Sequence, residues 1–135
     1  MITSRVKYLG ELRTECVHVY SGNTIITDAP LDNQGKAEAF SPTDLTATSL
    51  ATCMLTIMGI SARNHQWNID GAEAEVTKIM ASNPRRIGQI DVTITLNGKD
   101  LDARNREVLE TAGRNCPVMF SLHPDIVKEI QFIWE

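Results

Sequence analysis

The sequence predicts an α+β fold with its elements in the order βββ–α–ββ–α–β. The first reason is one long stretch without charge, Leu45 to Ala62, which has the length of a helix. The second is that short runs of β-branched and apolar residues, separated by turn residues, lie on both sides of it. The chain has 135 residues, 42% of them hydrophobic and 22% charged, which suits a soluble globular protein. We expect residues 1–135 to form a single domain.

Three strands are predicted before the helix. Two β-rich runs, Ile2 to Leu9 and Leu12 to Tyr20, lie on either side of Gly10 and Glu11, which suits a hairpin. A third run, Thr24 to Thr27, completes a meander. Asp28 to Phe40 has the composition of a loop, and loops of this length in compact domains are often functional.

The central helix has a clear start signal. Ser41 suits the N-cap, Pro42 fits the first helical position, and Asp44 lies where a capping box places its acidic residue. Arg63 and Asn64 are polar residues suited to its last turn. Apolar side chains lie most of the way round, which predicts burial on several sides: Leu45, Leu50, Leu55, Ile57, Met58 and Ile60.

The length of this helix also suits a membrane span, but its composition does not. Hydroxyl side chains that can bond back to the preceding turn occur along all of it, namely Thr46, Thr48, Ser49, Thr52, Thr56 and Ser61. No basic flank sets an orientation across a bilayer. We therefore expect a helix packed inside protein.

The apolar surface of this helix needs more cover than one three-stranded sheet and one short helix can give. A second copy of the chain would provide that cover if two such helices packed together between two sheets. We therefore expect a homodimer.

The elements after the helix follow from periodicity. Ala72 to Met80 and Ile90 to Leu96 alternate apolar and polar residues, as strands with one wet face do. Asp102 can cap a second helix that runs to about Asn115, where Pro117 prevents its continuation. Val127 to Trp134 is predicted as the last strand.

Charge and cysteine usage exclude several classes of function. The net charge of −4 argues against nucleic acid or an anionic membrane as the partner. No apolar secretion signal is visible, so we expect a cytoplasmic protein with its three cysteines free. We expect no metal, because no cysteine pair has ligand spacing and His18, His65 and His123 lie far apart.

Two cysteines are candidates for chemistry, although free cysteine is often only a small apolar core residue. Cys53 lies too far inside its helix for the helix dipole to stabilise a thiolate. It would need a cation from another part of the chain, for which the candidates are Arg5, Arg13 and Lys36. Cys116 lies at a helix C-terminus, which disfavours a thiolate. If one of the two is a nucleophile, Cys53 is preferred, with Cys116 closing a disulfide afterwards.

The two cysteine contexts resemble a known family. Ser41-Pro42-Thr43-Asp44-Leu45 leads to Ala51-Thr52-Cys53-Met54, and Asn115-Cys116-Pro117-Val118 follows some sixty residues later. Together with Asp28-Ala29-Pro30 and the segment from Gly35 to Phe40, they are similar to the OsmC/Ohr family of osmotically inducible and organic hydroperoxide resistance proteins, in its OsmC-like branch. The resemblance covers essentially the whole chain.

The resemblance implies an intertwined homodimer, in which two long helices are enclosed by two sheets and the active sites lie at the subunit interface. It also implies a thiol-dependent peroxidase that reduces small organic hydroperoxides without metal, haem or other cofactor. Cys53 matches the peroxidatic cysteine and Cys116 the resolving cysteine, whose disulfide an external dithiol reduces. Arg13 best matches the arginine that stabilises the thiolate.

One position departs from the family pattern. The family's glutamate that holds this arginine follows the helix-initiating proline, where this chain has Thr43. Asp44 is adjacent, but we expect it to cap the helix. Glu38, in the preceding loop, is the candidate that replaces the glutamate.

A second hypothesis is a dimeric module that has no catalytic activity and binds a small apolar ligand at the subunit interface. Its lining would come from apolar residues near the two cysteines, for which plain core packing is the simpler explanation. These residues are Met54, Leu55, Met58, Met119 and Phe120.

Overall fold

The structure, a computed structural model, describes residues 1–135 and has the predicted α+β element order. It adds a 3-10 turn at Leu31–Asn33 and a short helix before the last strand. The chain divides into two compact units, Met1–Thr46 and Ala47–Glu135. The expectation of a single domain stays a prediction.

The first unit contains an antiparallel meander. Strands β1 (Ser4–Gly10), β2 (Arg13–His18) and β3 (Thr24–Asp28) pair in the order β1-β2-β3, with β2 in the centre. The predicted strands are thus correct to within about two residues at each end, the usual uncertainty of strand limits.

The register of this meander separates its residues into two faces. Val6 and Ile25 both lie opposite Cys16, so the three share one face of the sheet. Tyr8 lies two residues beyond Val6 and therefore joins them. Val6 and Tyr8 are each 64% exposed and Ile25 is 50% exposed, so this apolar face is open to solvent.

Helix α1 (Pro42–Asn64) begins as the sequence predicts. The Ser41 backbone N–H donates to Asp44 Oδ2, and the Asp44 backbone N–H donates to Ser41 Oγ, both at 3.0 Å. This reciprocal pair is the predicted capping box. The hydroxyls of Thr52 and Thr56 donate to carbonyls about one turn earlier, at 3.0 and 2.8 Å, and so are satisfied within the helix.

The second unit contains a mixed sheet and two further helices. Strand β4 (Glu73–Ala81) is antiparallel to β5 (Arg86–Leu96), and β6 (Val127–Trp134) is parallel to β5. Helix α2 (Ala103–Arg114) has the predicted cap, since Asp102 accepts from the Asn105 backbone N–H at 2.8 Å. Helix α3 (Pro117–Ser121) was not predicted: α2 ends at Arg114, and Pro117 occupies the first position of a new helix, where its missing N–H costs nothing.

The hydrophobic core of this unit joins α1, β5 and α2. Its fully buried members include Leu50, Met54 and Met58 on one stripe of α1, together with Ile94 and Leu109. These positions on α1 are spaced by about four residues, which places them on one side of the helix.

The opposite side of α1 is exposed. Thr52 and Thr56 are exposed there, and Ile60 is 50% exposed. A single copy of the chain therefore does not give the predicted burial of the helix on several sides.

Judged by its length and composition alone, helix α1 could cross a membrane. Its most apolar window has a mean hydropathy of 1.5. The core helix of a soluble protein passes the same test, so one such helix is weak evidence for a span.

Candidate active site

The structure brings Cys53 and Cys116 together within the second unit. Cys53 lies in the middle of α1, is half-buried and packs against the core. Cys116 is fully buried between α2 and α3, where its Sγ accepts from the Met119 backbone N–H at 3.4 Å. Cys53 lies close enough to Cys116 to influence the pKa of the Cys116 thiol.

A glycine in α2 allows this approach. A Cβ added to Gly113 would lie 2.9 Å from Sδ of Met58, closer than real Cβ contacts, so Met58 would have to move. Because Gly113 has no side chain, the last turn of α2 can lie against α1. Cys116 follows three residues later and is thereby placed beside Cys53.

The environment of Cys116 favours its neutral thiol. Burial is the largest effect that raises the pKa of Cys116, and the hydrogen bond and charge of Cys53 raise it further. The backbone N–H groups of Met119 and Val118 act in the opposite direction, but they are outweighed. From the sequence we expected the C-terminal end of a helix to disfavour the thiolate of Cys116. The direction agrees, but the main cause is desolvation, and Cys116 is also the N-cap of α3.

The third cysteine lies in the first unit. Cys16 is half-buried in β2, where Thr14 Oγ1 lies 4.0 Å from its Sγ. All three cysteines are free, as the sequence predicts. No cluster of three or more His, Cys, Asp or Glu side chains has the arrangement of a metal site.

The first unit contains Arg13 and two carboxylates that contact it. Arg13 Nη2 lies 2.7 Å from Glu38 Oε1 and 3.5 Å from Asp28 Oδ2. Glu38 therefore contacts the arginine that it was expected to hold, while Asp44 is in the capping box. The catalytic roles of Arg13 and Glu38 stay predictions.

Asp28 is the residue of this group that sequence reasoning missed. Its side chain is 1% exposed, whereas those of Arg13 and Glu38 are 33% and 57% exposed. The sequence shows Asp28 as the first residue of a loop and as part of a segment that resembles the family, without a role of its own. Its place opposite Arg13 becomes visible only when the register of β2 and β3 is known.

The apolar residues expected to line a ligand site have different environments. Met54 and Met58 are 0% exposed and belong to the core, so packing accounts for both. Phe120 is 73% exposed. The structure thus leaves the ligand-binding hypothesis with fewer lining residues than the sequence suggested.

Comparison with known proteins identifies the family. The model of the family described as OsmC-like protein matches residues 35–131, which include both Cys53 and Cys116. The chain belongs to the OsmC-like protein family. The matched region begins after Arg13 and Asp28, so these two residues lie outside it. No curated protein matches the sequence of this OsmC-like protein.

Solved structures agree with that assignment. A candidate osmotic stress induced and detoxification response protein from Psychrobacter arcticus 273-4 is 53% identical, with a TM-score of 0.93 over 98% of this chain and 96% of that chain. An organic hydroperoxide resistance protein OsmC from Legionella pneumophila has a TM-score of 0.75 at 13% identity, covering 98% of both chains. The organic hydroperoxide resistance protein OhrB of Bacillus subtilis has a TM-score of 0.68 at 18% identity, covering 97% of this chain and 98% of that one. The last two share the fold of this OsmC-like protein.

Proposed function

We propose that this OsmC-like protein is a thiol-dependent peroxidase that reduces organic hydroperoxides to alcohols. The observation that supports this most is the contact between Cys53 and a buried Cys116 whose raised pKa keeps it protonated. The half-buried thiol of Cys53 suits attack on the hydroperoxide, and the buried thiol of Cys116 suits the later formation of a disulfide. The names of the Legionella and Bacillus proteins, both organic hydroperoxide resistance proteins, agree with this substrate class.

The reaction has two chemical steps on the protein. The Cys53 thiolate attacks the distal oxygen of the hydroperoxide, the O–O bond breaks, and the alkoxide leaves and takes a proton to become the alcohol. Cys53 is now a sulfenic acid. The Cys116 sulfur attacks it, so that the S–S bond forms, the S–O bond breaks, and the hydroxyl leaves as water with the thiol proton. An external dithiol then reduces the disulfide and returns both thiols, and no metal or other cofactor takes part.

Arg13 is the proposed cation that stabilises the thiolate of Cys53 and the departing oxygen. A guanidinium suits this role because it is always charged and donates several hydrogen bonds. The support in the first unit is that two carboxylates contact Arg13 while a third of its side chain stays exposed. If Arg13 has this role, Arg13→Gln should slow the alkylation of Cys53 by iodoacetamide at neutral pH. An unchanged rate of alkylation would show that Arg13 does not stabilise the Cys53 thiolate.

The direct test of the function is a single-turnover experiment. Reduced protein is mixed with one equivalent of cumene hydroperoxide in the presence of a chelator, and the disulfide is mapped by mass spectrometry of unreduced peptides. We expect one equivalent of alcohol and a disulfide between Cys53 and Cys116. A disulfide that involves Cys16, or no consumption of the hydroperoxide, would contradict the proposal.

We also propose that the working form is a homodimer. The support is the exposed apolar face of the first sheet, with Val6, Tyr8 and Ile25, and the exposed Ile60 on α1. A monomer that exposes an apolar sheet face of this kind would be unusual. Light scattering during gel filtration at micromolar concentration should give twice the mass of the chain. Val6→Asp, which puts a charge on that face, should shift the protein towards monomer, and a monomeric wild-type protein would disprove the dimer.

A further inference from the structure

We propose that Asp28 is a positioning residue of this peroxidase, whose buried carboxylate holds both Arg13 and the loop that bears Glu38. The inference rests on the proposed function, because Arg13 has its role there. It adds a residue that contacts neither the thiols nor the hydroperoxide and acts through the arginine.

The first step of the argument is the burial of a charged group. Asp28 is 1% exposed, and its Oδ1 atom has no hydrogen-bond partner. Its other oxygen, Oδ2, lies 3.5 Å from Arg13 Nη2 and accepts from the Glu38 backbone N–H at 3.0 Å. A carboxylate removed from water needs a compensating charge, and Arg13 is the cation that contacts it.

The second step is the rigidity of the support. Arg13 and Asp28 lie directly opposite each other in β2 and β3, so their side chains share one face of the sheet. The backbone on both sides is fixed, since the Ala29 N–H donates to Leu12 O at 3.2 Å and the Asp28 N–H to Phe40 O at 3.0 Å. Asp28 therefore has a fixed position relative to Arg13 before any other group contacts the guanidinium.

The third step concerns Glu38, which has the shorter contact with Arg13 but is 57% exposed. An exposed ion pair must restrict long side chains and is worth little by itself. The Asp28 carboxylate reduces this cost because it holds the backbone of Glu38 directly. Gly35 allows the loop to pass close to Ala29, because a Cβ at this position would overlap the carbonyl oxygen of Ala29.

One oxygen of Asp28 thus binds both members of the Arg13–Glu38 pair. When a substitution removes the charge of Asp28, Arg13 keeps Glu38 as its only charged partner, and the loop that bears Glu38 is held less firmly. We expect the guanidinium then to sample several positions, so that fewer molecules have it in the reactive arrangement.

The experiment uses Asp28→Asn, Arg13→Gln, the double variant and Glu11→Gln as a control. Asparagine keeps the size of the side chain and an oxygen that can accept from the Glu38 N–H, but it removes the charge. Glu11 is an exposed acid in the turn between β1 and β2, so Glu11→Gln makes the same change of charge outside the site. Circular dichroism checks that each variant is folded.

The first readout is the Arg13 Nε–Hε signal in a nitrogen-15 NMR spectrum, identified by its loss in Arg13→Gln. We expect this signal to shift and broaden in Asp28→Asn and to be unchanged in Glu11→Gln. An unchanged signal in Asp28→Asn would overturn the inference, whatever happens to peroxidase activity. If Asp28→Asn does not fold, Asp28→Glu, which keeps the charge but displaces it by one carbon, is expected to shift the same signal, and no shift there would overturn the inference.

The second readout is the rate of alkylation of Cys53 by iodoacetamide at neutral pH, followed by peptide mass spectrometry. We expect Asp28→Asn to slow this alkylation about tenfold in the wild-type background. In the Arg13→Gln background we expect it to slow the alkylation by less than about twofold, because the effects of two substitutions are not additive when one residue acts through the other. Equal slowing in both backgrounds would mean that Asp28 only supports the fold. If Arg13→Gln alone changes nothing, the proposed role of Arg13 fails, while the NMR result still decides the role of Asp28.

Discussion

Cys53→Ser is expected to lower the consumption of cumene hydroperoxide by about 10³-fold or more, to the rate of the dithiol alone, because loss of a nucleophile removes the whole covalent pathway. Serine has nearly the size of cysteine, so the fold should remain. The hydroxyl, however, is not ionised near neutral pH and does not accept oxygen from a hydroperoxide. The position is half-buried within the helix, and a serine hydroxyl there can bond to a carbonyl of the preceding turn.

The measurement is hydroperoxide loss with dithiothreitol, at several protein concentrations. Cys16→Ser is the matched control, because it removes a half-buried cysteine from the first unit and should keep activity within about twofold of the wild type. Turnover in Cys53→Ser at the wild-type rate would remove the assignment of the nucleophile. Equal losses in both variants would indicate a general effect of thiol loss rather than one reactive sulfur.

Cys116→Ser is expected to leave the first step intact and to abolish the disulfide. The first equivalent of hydroperoxide should be consumed at nearly the wild-type rate, since Cys116 does not attack the O–O bond. Without a neighbouring thiol, the Cys53 sulfenic acid persists and can be oxidised again to the sulfinic acid, which is not reversed by dithiols. The enzyme should therefore lose activity progressively over a small number of turnovers when hydroperoxide is in excess.

Intact-protein mass spectrometry measures this outcome. Cys116→Ser should gain one oxygen atom at one equivalent of hydroperoxide and further oxygen atoms when it is in excess, and dimedone should label Cys53 at the first stage. Wild-type protein treated in the same way should lose two hydrogen atoms and gain no oxygen. A Cys116→Ser protein that forms an internal disulfide through Cys16, or that resists over-oxidation, would contradict the role of Cys116.

The capping of α1 could be predicted from the sequence because it depends on residues close together in the chain. Ser41 and Asp44 are three residues apart, and the hydrogen bonds predicted for them are present at 3.0 Å. The same holds for Asp102, which accepts from Asn105. The alternation of residues from Ile90 to Leu96 gave the second part of strand β5 and its end, because its period follows from backbone geometry alone, but the strand begins earlier, at Arg86.

Helix α3 and the environment of Cys116 could not be predicted in this way. Pro117 is compatible with both a break and a helix start, and five helical residues are too few for a periodic pattern. The pKa of Cys116 depends on burial, which follows from the packing of α2 against α1 at Gly113 and Met58. The sequence contains both residues but does not show that they touch.

The sequence by itself determined the six strands and the two long helices in their order, the caps of α1 and α2, and two cysteines in contexts that resemble one family, but not helix α3 or the 3-10 turn. The tertiary structure decided that Cys53 contacts a buried Cys116, and that Arg13 has a buried carboxylate, Asp28, beside the exposed Glu38. The physical reason is the range of the forces that act. Backbone propensity, periodicity and capping depend on residues within one or two turns, whereas desolvation and ion pairing depend on which distant segments the strand register and core packing bring together.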